Sequence, residues 1–164
     1  MVAGEEEAQA MIDPKQTRGY LNRNPGNMDR DKIGPPWDGE IRDPAKCVND
    51  VQRAELTHGR FCVFVDAEHG IRAMVKNLRA YRDRLGCKTV RQFITRWAPP
   101  NENNTHNYIV SVAHSAAVEP DFPVDIEIRR IMRAIVTGII CVECGGNPYT
   151  TEIEAGMDLA GVGA

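Results

Sequence analysis

Met132, Ile135, Val136, Ile139 and Ile140 recur at helical spacing within residues 125–149, DIEIRRIMRAIVTGIICVECGGNPY, and make one apolar stripe. The pattern predicts an amphipathic helix capped by Asp125 and stopped at Gly145 and Gly146, as an αL C-terminal cap would stop it. At about 100° per residue, Glu143 falls on the apolar stripe, while Arg130, Arg133 and Thr137 face the polar side. Three further amphipathic segments precede it. Asp66 is placed to cap a helix running to about Leu85, with Ile71, Met74, Val75, Leu78 and Tyr81 as its apolar face and Gly86 as its stop. Thr89 caps a short helix carrying Phe93, Ile94 and Trp97, which Pro99-Pro100 terminates. Asn104 or Thr105 caps the next, with Tyr108, Ile109, Val112 and Ala116 facing inward.

The first half is less periodic. RFCVFVD, 60–66, is β-branched and aromatic and reads as a short strand, with a pairing partner expected around Trp37–Arg42. Residues 17–40 are dense in Gly, Pro and Asn and read as a structured loop, long enough to suggest a function. Residues 43–59 carry no strong pattern and read as an insertion. The expected fold class is therefore α+β, mainly α, with a small β-hairpin lobe. The expected body spans 17–150, preceded by a mobile tail or leading helix at 1–16 and followed by a tail or short helix at 151–164.

Composition narrows the function classes. The chain has 164 residues, 42% of them hydrophobic and 26% charged, which suits one globular domain. A net charge of -3 gives no reason to propose nucleic acid as a partner. No apolar run reaches the length that spans a bilayer, and the acidic N-terminus, MVAGEEEAQAMIDPK, lacks a secretory h-region. The expectation is synthesis in a cytoplasm, with any outward route not written at the N-terminus. The five cysteines are odd in number and irregular in spacing, against a disulfide framework. Cys141 and Cys144 form a C-x-x-C without the further ligands that zinc needs, and they close a helix where a thioredoxin-like pair would open one. They are read as small buried hydrophobes. No metal or other cofactor is expected.

Glu143 is the candidate catalytic group. A carboxylate on the apolar side of a helix end is partly desolvated, an environment that suits a general acid; the alternative is a side chain that rotates to solvent where the helix frays. The amides of Asn22, Asn24 and Asn27 could face a polar ligand or simply complete turns. Loop 17–30 is expected to lie beside Glu143 despite its distance in sequence.

The segment ICVECGGNPYT resembles the catalytic-helix ending of soluble lytic transglycosylases and goose-type lysozymes, where an apolar helix ends in Glu before a Ser- or Gly-rich turn and Asn-Pro. AEHGIRAMVKNLRAY, 67–81, and ENNTHNYIVSV, 102–112, are similar to two segments that follow the Glu in that family. Here both precede it, which implies a circularly permuted lysozyme-like domain. Most of the chain, with RWAPPNENNTHNYI as its most specific run, resembles a family of bacteriophage proteins known as virion-associated or muralytic. Two departures are Cys144, where Ser or Asn is usual, and the 43–59 insertion.

The resemblance implies cleavage of peptidoglycan glycan strands, by a lytic transglycosylase or muramidase route, with Glu143 as a single general acid/base. Glu68 and Glu102 are candidates for a second carboxylate, or else serve helix starts. The substrate-binding candidates are Asn24, Asn27, Asn104, Tyr108, Asn147 and Tyr149. His69 and His106 receive no role. Other virion proteins are possible partners, and the expected place of action is the virion or the periplasm and cell wall. A non-catalytic virion or glycan-binding protein with a lysozyme-like fold is the alternative, with a peptidoglycan endopeptidase behind it.

Overall fold

The computed structural model describes residues 11–101 and 104–163. These contain seven α-helices: α1 Arg18–Leu21, α2 Asp50–His58, α3 Ala67–Leu85, α4 Val90–Trp97, α5 Thr105–Ala116, α6 Arg129–Cys144 and α7 Glu152–Leu159. Their ends follow from local chemistry. Asp66 accepts from the His69 N–H at the start of α3, and Gly86 ends that helix at φ 69°. Thr89 and Gln92 close a reciprocal capping box on α4. Asn104 caps α5 through the Asn107 N–H. Helix α6 ends at Gly145, whose φ of 68° an L side chain adopts only under strain. It starts later than the patterning suggests: Asp125 turns back onto the Glu127 N–H, and the helix begins after Ile128 without a side-chain cap.

The core is built on α3, α5 and α6. Met74, Val75 and Leu78 of α3 and Met132, Ile135, Val136, Ile139 and Ile140 of α6 are fully buried, as their stripes require. Gly138 lets α6 approach α5 until a Cβ there would lie 3.1 Å from Val112. The short helix expected after residue 150 is α7, which lies along α3, buries Ile153 and Met157, and extends the same core. Ion pairs fasten this end. Arg79 grips Glu127 with two bonds of 2.9 and 2.7 Å and also donates to the Ala160 carbonyl. Arg129 donates to Glu154 at 2.7 Å and to the Val162 carbonyl. At the other end, residues 11–16 include a single 3-10 turn capped by Asp13, whose Pro14 packs beside Gly146.

The expected α+β class with a hairpin lobe is incorrect: the fold is all-helical. Among the described residues, extended pairing is limited to isolated antiparallel bridges at Asp29–Phe61, Glu40–Phe64 and Thr89–Pro123. Segment 60–66 divides its hydrogen bonds between neighbours, which is why no ladder grows. Cys62 donates to Met28, Phe64 to Asn22 and Val65 to Gly39, while Val63 accepts from Ile41. Cys62, Val63 and Phe64 are all fully buried, so the apolar run marks a buried connection and not a strand with one wet face.

The supposed insertion is also structured, with a 3-10 turn at Pro44–Lys46 and helix α2. Its inward face is polar, hence the missing hydrophobic period. Gln52 is fully buried and donates to the Leu21 carbonyl; Glu55 accepts from the Asn22 amide and the Phe61 N–H.

The crossing of α3 and α7 supplies a test. A Cβ at Gly156 would lie 2.6 Å from Ile71 Cβ and 2.8 Å from the Glu68 carbonyl oxygen. Gly156→Ala should cost about 1–3 kcal/mol by overpacking, despite its better helix propensity. Thermal unfolding reads this as a fall of several degrees; an unchanged or higher Tm contradicts the close crossing.

Candidate active site

The loop after α1 reaches the end of α6 because its own side chains and glycines shape it. Asn24 is fully buried and staples the loop: its carbonyl oxygen accepts from the Met28 N–H, and its amide donates to the Met28 and Cys62 carbonyls, each at 3.0 Å. Arg23 and Asn27 adopt positive φ, 56° and 47°. Asn tolerates this conformation better than most L residues. Close packing fixes the outer turn. A Cβ at Gly26 would lie 2.6 Å from the Trp97 ring, and one at Gly70 would lie 2.2 Å from the Arg23 carbonyl oxygen. The Trp97 indole N–H donates to the Gly26 carbonyl at 3.2 Å.

This wedge puts Asn27 against the last turn of α6. The Asn27 amide donates to Glu143 Oε2 at 2.8 Å, across 116 residues of sequence. On the other side, the Tyr108 hydroxyl of α5 donates to Glu143 Oε1 at 2.9 Å. Tyr108 is buried, and that burial, with the Glu143 charge beside it, pushes its phenol well above the ordinary tyrosine range, so it stays a neutral donor. Glu143 itself is half-buried. Cys144 lies beneath it with its thiol toward the Pro25 carbonyl. Burial pushes the Cys141 and Cys144 thiols up, away from the thiolate form that a nucleophile needs.

Glu143 stands between two depressions. One, of about 550 Å³, is walled by Trp37, Phe61, Tyr81 and Trp97, with Asp29, Asp31, Arg60 and Arg96 among its polar groups. Tyr81 and Trp97 meet edge to face at 6.4 Å. The other, of about 470 Å³, is lined by Asn104, Asn107, Tyr108, Ser111 and Val142. Flat apolar rings beside convergent polar groups are the usual make-up of a ligand cleft.

The expected site residues therefore divide. Asn27, Tyr108 and Asn104 border Glu143 or its depressions. Asn24 lines neither; its amide is consumed inside the loop. Asn147 is exposed and accepts from the Tyr149 N–H, which is turn chemistry. Tyr149 and Glu68 share a separate groove of about 500 Å³ with Tyr20 and Glu152, where Tyr149 stacks on Tyr20 at 5.7 Å. Glu102 lies outside the described residues. Sequence reasoning missed the aromatic wall and the Asp29, Asp31 and Arg60 group. Tyr81 and Trp97 were visible only as members of apolar helix faces, and nothing local marked them as cleft-facing. Among the described residues, no group of three or more His, Cys, Asp or Glu is arranged to hold a metal ion, and no helix is long and apolar enough to cross a membrane.

The molecule is thus an all-helical domain with a carboxyl-centred, aromatic-walled cleft. No family model matches the chain. Over 146 residues it is 33% identical to protein P5 of Pseudoalteromonas phage PM2, a match covering 86% of this chain and 80% of that protein. At this identity and coverage the chain belongs to the family of that bacteriophage protein.

The Asn27–Glu143 bond can be isolated. Asn27→Gly keeps the positive φ free of strain but deletes the amide. A double-mutant cycle pairing Asn27→Gly with Glu143→Ala should give a coupling energy of about 1 kcal/mol in chemical denaturation. Simple additivity would mean that the bond does not form in solution.

Proposed function

We propose that the protein cleaves peptidoglycan glycan strands, with Glu143 as its single general acid/base. The observation that carries the reading is the placement of one half-buried carboxyl group, held by Asn27 and Tyr108, at the junction of an aromatic-walled and an amide-lined depression. In the lytic transglycosylase route, protonated Glu143 gives its proton to the glycosidic oxygen as the C1–O bond breaks. The resulting carboxylate is stabilised by the Asn27 amide and the Tyr108 hydroxyl. It then takes the proton of the muramyl C6 hydroxyl as that oxygen closes on C1, which restores the acid and leaves an anhydro end. A muramidase route would need a second carboxylate. The nearest candidates by cleft membership are Asp29 and Asp31. Asp29 is paired with Arg60 at 3.1 Å. Asp31 holds the Ile33 and Gly34 N–H groups, and those bonds keep its carboxyl below the usual range. The single-acid route uses neither.

The lysozyme-like resemblance supports this reading, and membership of a bacteriophage protein family supports a phage function; the proposed place of action is the virion or the host cell wall, with other virion proteins as candidate partners. The non-catalytic alternative has one observation in its favour: both Glu143 oxygens already accept internal hydrogen bonds, as in a purely structural tether. An endopeptidase is disfavoured by the raised thiols of half-buried Cys141 and buried Cys144.

Glu143→Gln keeps the shape and can still hydrogen-bond, but it has no proton to donate. Clearing of purified peptidoglycan suspensions should fall by about 10²-fold or more, while unfolding changes little. Glu68→Gln, in its separate groove, should clear like the parent. Undiminished clearing by Glu143→Gln would remove Glu143 from the chemistry, and an inactive parent would favour the non-catalytic reading.

A further inference from the structure

An enzyme that trims strand ends needs a wall close to its acid on one side. Here the acid instead lines two depressions, and both open to solvent. Each has a volume in the range of ordinary ligand pockets, so each can hold sugar on its own side of the acid.

Their walls differ in chemistry. The larger depression offers the rings of Trp37, Phe61, Tyr81 and Trp97, suited to the apolar faces of pyranose rings. The smaller offers the Asn104 and Asn107 amides and the Ser111 hydroxyl, suited to hydroxyl and acetamido groups. We infer that the site takes a long glycan strand in its interior, with sugars bound on both sides of Glu143, and cuts mid-chain instead of releasing units from an end. This rests on the glycan-cleavage reading above. It adds the direction of attack and names the Asn107 and Ser111 side as a required half of the binding surface.

Two measurements separate the inference from that reading. In the first, the full-length protein is incubated with purified peptide-free glycan strands, and early products are sized by chromatography with mass spectrometry. Mid-chain attack predicts a broad set of long and intermediate fragments, with mean strand length falling several-fold before disaccharide units accumulate. Release of disaccharide units from the first time point, with the remaining strands near full length, overturns the inference and leaves the glycan-cleavage reading intact. No cleavage at all overturns both.

The second measurement needs no turnover. Glu143→Gln protein is titrated with a β-1,4-linked N-acetylglucosamine hexamer and followed by NMR. Saturable shifts are expected for both the Trp97 indole N–H and the Asn107 side-chain amide. Shifts confined to one of the two, or absent from both, overturn two-sided binding.

Discussion

The geometry of the site depends on one cross-chain contact, the Asn27 amide on the Glu143 carboxylate. A carboxylate in the last turn of a helix is ordinarily free to swing into water, because helix ends fray and the last carbonyls lack partners. Here it is held from two directions. Tyr108 reaches it from α5, and Asn27 from a loop that precedes it by more than one hundred residues. That loop is held in place because the Asn24 side chain bonds within it and because Gly26 and Gly70 let backbone and rings approach too closely for any Cβ. The result is a carboxyl group fixed at the boundary of two depressions before any ligand arrives. Preorganisation of this kind is what electrostatic and acid–base catalysis require.

The packing beneath serves the same end. Helix α6 must be deeply buried to present its final turn at a fixed height, and Met132, Ile135, Val136, Ile139 and Ile140 achieve this through complete burial. Gly138 brings α5 close enough for Tyr108 to reach the carboxylate. Helix α7 closes the far side of α3, and the ion pairs of Arg79 and Arg129 secure that end of the chain to the main body. Cys144 extends the core beneath the site, its buried thiol directed to the loop that carries Asn27.

Much of this was legible in the order of residues. The apolar stripes of α3, α5 and α6 repeat at helical period, Asp66 and Asn104 cap α3 and α5, Gly86 and Gly145 stop α3 and α6, and Glu143 falls on the buried side of its helix end. What escaped has physical causes. Helix α2 buries Gln52 and Glu55 where a hydrophobic face would normally announce a helix. The apolar run at 60–66 has the composition of a strand, yet its hydrogen bonds go to several loops. The Asp125 side chain turns onto Glu127 instead of capping α6, which sets the helix start three residues later. The aromatic wall was invisible because Tyr81 and Trp97 sit at the margin of apolar faces, and whether a marginal ring faces core or cleft is decided by tertiary packing. Asn24 shows the same limit in reverse. Its residue type suggested a ligand contact, but its amide serves the loop.

The central claim is that Glu143 donates a proton to a glycosidic bond. The most direct measurement is mass spectrometry of the new chain ends formed on purified peptidoglycan by the parent protein and by Glu143→Gln. The account predicts new glycan ends of the anhydro-muramyl type from the parent and essentially none from Glu143→Gln. New peptide termini with intact glycan, or the same glycan ends from both proteins, would contradict it.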